Sequence, residues 1–269
     1  MTFKVLGPAS VRAAILACAV VWTGTALAEG QTARAAGPGC AVPGELTQLN
    51  GALPRTARQI AGGAPLRIVA IGSSSTAGAG ASSPASSYPN RLAIELKQRY
   101  PAIAVTVINR GVNGEDAREM LGRFEQSVMA EKPDLVLWQV GTNSLLMDRP
   151  LDDAGGLIVE GLDRLKSSGI DVVLIDSQYA PKVLAKPRLA HLRALMSRIA
   201  KRANVPTFQR FEVMRHWRET AGIPFQTFLS PDELHMNDWS YGCVAKLLAG
   251  AIGDAATRSS LTASAGVPR

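Results

Sequence analysis

Residues Arg67 to Gly80 read RIVAIGSSSTAGAG, and the fold follows from how this stretch is divided. The apolar run Ile68 to Ile71 has the composition of a buried strand, and it stops at Gly72 in front of three serines, Ser73, Ser74 and Ser75. Further runs of the same kind recur along the chain: Ala102 to Ile108, Asp134 to Val140, Asp171 to Ile175 and Val205 to Phe211. Helical spacing fills the intervals, over Asn90 to Tyr100, Asp116 to Lys132, Pro150 to Ser167 and Pro187 to Ala203. A last helix is expected over Trp239 to Thr257. About five strands separated by single helices predict an α/β fold, a mostly parallel sheet with helices on both faces. Right-handed crossovers then bring the carboxyl ends of all strands to one edge, where ligands collect.

The chain has 269 residues, 46% hydrophobic and 19% charged, enough for one α/β domain with a large core. Residues 1–28 combine a basic start, the apolar stretch AAILACAVVWTGTALA and the small-residue ending Ala26-Leu27-Ala28, the layout of a secretory signal peptide. The expected location is secreted or periplasmic, with no stable membrane span once the signal is removed. Residues 29–64 read as an N-terminal arm, 65–257 as the domain, and 258–269 as a flexible tail. Lys4 and Arg12 are the only charged side chains in the signal, so the net charge of +7 becomes +5 without them. The basic residues form no run, which argues against a nucleic-acid partner. Cys18 leaves with the signal. Cys40 and Cys243 remain, either paired in an oxidising compartment or free.

Three successive strands end in motifs rich in Gly, Asn or Ser, and the shared edge assembles them. A fourth motif, SPDELHMND, comes from the C-terminal loop. A serine is a poor nucleophile until a base takes its proton, and the base needs a partner that fixes its tautomer. Ser74, His235 and Asp232 are the candidates for these three catalytic roles. A negative oxygen on a tetrahedral carbon needs donors, which the Ser74 and Gly114 amides and the Asn143 side chain supply as a candidate oxyanion hole. His191 and His216 read as surface residues. The Gly-Ser loop lacks the lysine of a phosphate loop, and three histidines without a close Cys or acidic cluster give no metal site.

With these residues in view, the chain resembles the SGNH, or GDSL-like, hydrolase family. IGSSSTAG matches its first block with Ser74 as nucleophile, NRGVNG the second with Gly114, VGTN the third with Asn143, and Asp232-x-x-His235 the last. Ser73 and Ser144 depart from the pattern, which often has Asp at both positions. The resemblance implies a flavodoxin-like three-layer α/β/α sandwich without metal or cofactor. It also implies a serine esterase that hydrolyses short acyl esters, including O-acetyl groups on carbohydrate, through an acyl-enzyme on Ser74. The expected partner is a small acyl ester or an acylated glycan. An acetyl transferase would use the same residues, and a carbohydrate-binding or envelope-assembly protein would keep the fold with little turnover. Gln178 and Tyr179, just past the fourth strand, are expected to line the substrate pocket. The oligomeric state is left open.

Overall fold

The computed structural model describes residues 1–4 and 39–265. The expected signal peptide and the start of the arm lie almost wholly outside the described residues. The chain divides into two units, 1–37 and 38–269, and the second holds the sheet and its helices.

Five parallel strands form one sheet: β1 (Leu66–Gly72), β2 (Val105–Gly111), β3 (Leu135–Gln139), β4 (Asp171–Ile175) and β5 (Thr207–Phe208). Their order is β2-β1-β3-β4-β5. The chain starts on β1, steps to β2 on one side and then crosses to β3 on the other. Winding reverses there, and the reversal leaves a crevice at the carboxyl ends of β1 and β3. Register places Gly72 beside Gly111 and Ile71 beside Trp138. β3 and β4 are buried along their whole length, which is why they read as continuous apolar runs and not as alternating ones.

Helices cover both faces. Tyr88–Arg99, Asp238–Ala265 and Pro54–Ala61 pack together on one side; Ala117–Gly122, Leu151–Ser167 and Leu189–Ala203 form the other layer. The arm is tied into the domain. Pro54 opens its helix, where a missing N–H costs nothing, and Leu49 and Leu53 are buried. The Thr56 amide donates to Asp171 at 2.7 Å and Arg55 pairs with Asp134 at 2.9 Å, which anchors the helix at the amino ends of β4 and β3. Cys40 is disulfide-bonded to Cys243, with Cα atoms 5.2 Å apart.

Three expectations need correction. The helix expected over Asp116 to Lys132 is broken into Ala117–Gly122, Phe124–Ser127 and a 3₁₀ turn, Met129–Glu131. Its apolar spacing is right, since Met120, Phe124 and Val128 are buried. The break comes at Arg123, which turns back to pair with Glu115 and to donate to the Arg110 carbonyl. β5 keeps only two residues, because Arg210 begins a helix whose side chain is drawn into the core. Trp138 and Gln139 are both buried, since β3 is central and covered on both faces. The last helix runs to Ala265, so the expected tail is helical at its start, where the Ser259 hydroxyl accepts from the Leu53 amide at 3.0 Å.

Candidate active site

Ser74 opens a single helical turn, Ser74–Ala77, directly after β1. As the first residue of that turn its N–H has no intrahelical acceptor. The sequence permits this tight exit because of two glycines. A Cβ at Gly72 would collide with the Thr76 hydroxyl, and one at Gly111 would collide with the Ala77 amide. Gln139 Oε1 then gathers the turn from below, accepting from Ser73 N at 3.0 Å, Ser73 Oγ at 3.0 Å and Thr76 Oγ1 at 3.3 Å. From β2, Asn109 donates to the Thr76 carbonyl at 2.8 Å. Sequence reading missed Gln139 and Asn109 as site residues. For Gln139 the available signal was a polar side chain in a strand that is otherwise apolar.

His235 ends the loop, residues 230–235, that an isolated antiparallel bridge between Leu229 and Met236 closes just ahead of the last helix. Its Nε2 lies 2.8 Å from Ser74 Oγ, and its Nδ1 lies 2.5 Å from Asp232 Oδ2. The other Asp232 oxygen accepts from Ser230 Oγ at 2.7 Å and from the Leu234 and His235 amides at 2.9 Å. These bonds hold a turn in which Glu233 takes a left-handed conformation, φ 58°. Burial alone would raise the Asp232 carboxyl. The hydrogen bonds from the His235 ring and amide, the Ser230 hydroxyl and the Leu234 amide outweigh it and hold the group well below the usual carboxylate range.

Gly114 and Asn143 stand at the same edge, past the ends of β2 and β3. Gly114 has φ +81°, while a Cβ there would meet nothing within 4 Å, so backbone conformation and not space calls for glycine. Asn143 is buried in the first turn of Thr142–Leu146 and donates to the Glu115 carbonyl at 2.8 Å, which joins the two loops and leaves its second amide hydrogen. Further pairs brace the Gly114 loop: Arg123 with Glu115 at 2.6 Å and Arg149 with Asp116 at 2.6 Å. The departures are both buried. Ser73 is bonded to Gln139, whereas the Ser144 hydroxyl has no partner among the described residues.

Gln178 is held in a buried hydrogen-bond network. It is 2% exposed, accepts from Arg210 at 3.0 Å and donates to the Leu234 carbonyl at 3.3 Å. Tyr179 is half-buried, bonded through its hydroxyl to Glu219 and packed edge-on against Phe211. His191 is exposed, with Asp152 at 3.7 Å. A cavity of about 430 Å³ lies on the β4–β5 side, lined by Asp176, Ser177, Leu192 and Gln209 among others, apart from Ser74 and His235. Among the described residues no group of three His, Cys, Asp or Glu is arranged to hold a metal ion, and no helix is long and apolar enough to cross a membrane. A hydroxyl, an imidazole and an ionised carboxylate thus stand in line, an arrangement in which an imidazole is able to accept the hydroxyl proton.

A model of the non-GDSL lipase-like family matches residues 39–258. A 50-residue stretch is 36% identical to an acetylxylan esterase of Geobacillus stearothermophilus, covering 19% of this chain and 23% of that protein. Among solved structures, a two-domain esterase active on acetylated mannans superposes with TM-score 0.68 at 21% identity, over 81% of this chain and 58% of its own. The acetylxylan esterase Axe2 of Geobacillus stearothermophilus gives TM-score 0.58 at 19% identity, over 70% of this chain and 94% of its own. LAE5, an alpha/beta hydrolase from the metagenome of Lake Arreo, gives TM-score 0.60 at 20% identity, over 71% and 96%. At such identities the superpositions speak for the three-layer α/β fold. The chain spans less than two thirds of the curated relative and of the mannan esterase.

Proposed function

The chain belongs to the non-GDSL lipase-like family, and from that premise we propose that it is an exported serine esterase of the SGNH kind that removes acetyl groups from carbohydrate. The observation that carries this reading is the unbroken line Ser74 Oγ, His235, Asp232, with contacts of 2.8 and 2.5 Å. Ser74 Oγ attacks the ester carbonyl carbon while its proton passes to His235 Nε2. Asp232 holds Nδ1 protonated and stabilises the imidazolium. The carbonyl oxygen takes the negative charge and is met by the Ser74 and Gly114 N–H groups and by the second hydrogen of the Asn143 amide. Collapse expels the alcohol, which leaves with the proton from His235. Water, deprotonated by the same imidazole, then releases the acyl group from Ser74 as acetate.

Support for acetylated glycans as the substrate class comes from the relatives that act on acetylated xylan and mannan. The Cys40–Cys243 disulfide supports an oxidising destination, in keeping with the N-terminal pattern of residues 1–28.

The test is intact-mass analysis after a fluorophosphonate probe, run on the protein and on Ser74→Ala, with acetate release measured from acetylated xylan and mannan. One adduct that is lost in Ser74→Ala, with release of acetate by the unaltered protein only, is the expected result. No adduct, or equal acetate release by both, overturns it.

A further inference from the structure

The contact between Ser74 and His235 joins segments 161 residues apart, the helical turn after β1 and the loop before the last helix. Direct bonds between those segments must set their register. Three lie on the far side of the catalytic pair, between residues 79–82 and residues 235–241. The Asp238 carboxylate accepts from Ser82 N at 2.8 Å and from Ser82 Oγ at 2.5 Å. The Tyr241 hydroxyl donates to the Ala79 carbonyl at 2.7 Å. Gly80, at φ +86°, lies so close that a Cβ would collide with the Met236 carbonyl oxygen and stand 3.0 Å from His235 Cβ.

From this geometry we infer that Asp238 and Gly80 are positioning residues for the esterase reaction: they clamp the loop that follows the nucleophile against the segment that carries the base. The inference rests on the esterase reading of the site. Asp238 touches neither Ser74 nor the His235 ring. It acts through Ser82, fixing where residues 79–82 lie, and Gly80 in that loop then forms the wall behind His235 Cβ. The carboxylate itself is held at the first turn of the last helix, where the N-terminal end favours negative charge. Its hydrogen bonds to the Ser82 hydroxyl and amide keep it below the ordinary carboxylate range. Misplacing a reacting pair by a fraction of an ångström is expensive in rate.

The test compares Asp238→Ala, Asp238→Asn, Ser82→Ala and Gly80→Ala with the unaltered protein and with Ser74→Ala, using p-nitrophenyl acetate and thermal melting. Asp238→Ala is expected to lower kcat by about 10- to 100-fold with KM nearly unchanged and the melting temperature within a few degrees; Gly80→Ala, strained at φ +86° and against the Met236 carbonyl, is expected to lower kcat and to melt lower as well. Asp238→Asn keeps an oxygen for the Ser82 amide and an N–H for its hydroxyl, and is expected to recover most of the rate. Ser82→Ala loses only the hydroxyl bond and falls between. Wild-type kcat in Asp238→Ala beside an inactive Ser74→Ala overturns the clamp alone. So does a loss of rate in Asp238→Ala that follows loss of melting temperature, or an Asn variant as slow as Ala. Full activity in Ser74→Ala overturns the esterase reading and the clamp with it.

Discussion

Gln139 and Ser73 are joined twice: the Gln139 side-chain oxygen accepts from both the amide and the hydroxyl of Ser73, each at 3.0 Å, in a place that is 1% and 3% exposed. The residue before the proposed nucleophile is thus hung from the neighbouring strand, and the same oxygen takes Thr76 Oγ1. Gln139→Leu leaves these donors buried without an acceptor. We expect a loss of roughly 2–4 kcal/mol of stability, from about 1–3 kcal/mol per orphaned group, together with a fall in kcat. Urea unfolding beside esterase kinetics reads both; an unaltered midpoint would contradict this role for Gln139.

Asp232→Asn separates orientation from folding. Asn keeps Oδ1 for the Ser230 hydroxyl and the Leu234 and His235 amides, so the turn survives. It presents N–H instead of oxygen to His235 Nδ1 and favours the wrong tautomer. We expect kcat to drop by about 10³- to 10⁴-fold with little change in melting. Because Asp232 stays ionised far into acid, it should contribute no limb to the pH–rate profile between pH 5 and 9; an Asp232 carboxyl seen by carbon-13 NMR to titrate in that range would count against this.

Asn143→Ala removes a donor and also releases the Glu115 carbonyl, so it loosens the loop of Gly114. A loss of about 10²- to 10³-fold in kcat is expected. The fluorophosphonate reaction of Ser74 should slow with it, since attack of the serine oxygen on phosphorus also builds negative charge on the phosphoryl oxygen in its transition state. Unchanged rates in both assays would remove Asn143 from the oxyanion site.

Asp176 provides a pH test. Burial pushes its carboxyl up to about 6, against the lowering effect of the Phe211 amide and of the buried Arg210. A folded value above the unfolded one means that the folded protein holds the proton more tightly. The group's stabilising contribution is therefore present at low pH and is lost as pH rises from about 4 through about 6. Asp176→Asn keeps an oxygen for the Phe211 amide and does not titrate. Its melting temperature relative to the unaltered protein should rise between pH 4.5 and 7.5, by the equivalent of up to about 2–3 kcal/mol. A constant difference across that range would refute the assignment.

The Cys40–Cys243 bridge spans a sequence separation of 203 residues. In the chain-entropy picture a loop of that length removes up to about 5 kcal/mol from the unfolded state's advantage. The Cys40→Ala/Cys243→Ala double variant should melt markedly lower under non-reducing conditions, and reductant should lower the unaltered protein towards it. Equal melting of the two would show that the bridge adds nothing.

Much of the site was legible because nucleophile, base and orienting acid each need a particular residue type, and strand ends place those types at one edge. Ser74, His235 and Asp232 are brought together as the motifs suggested. Gln178 was not legible: a polar residue after a strand looks the same whether it faces substrate or, as here, bridges the buried Arg210 to the Leu234 carbonyl. Gln139 went unassigned for the same reason. Whether a buried amide has a use depends on what stands across the sheet.

By itself the sequence determined the succession of five strands and their helices, because burial on both faces demands continuous apolar runs and the helices demand a 3.6-residue period. It determined as well which residues could supply a nucleophile, a base and an acid, since chemistry restricts those to few side chains. The distances were left to the tertiary structure: Ser74 against His235 across 161 residues, Asp238 against Ser82, Cys40 against Cys243. Contacts between remote segments arise from how whole layers pack, and no local spacing encodes that.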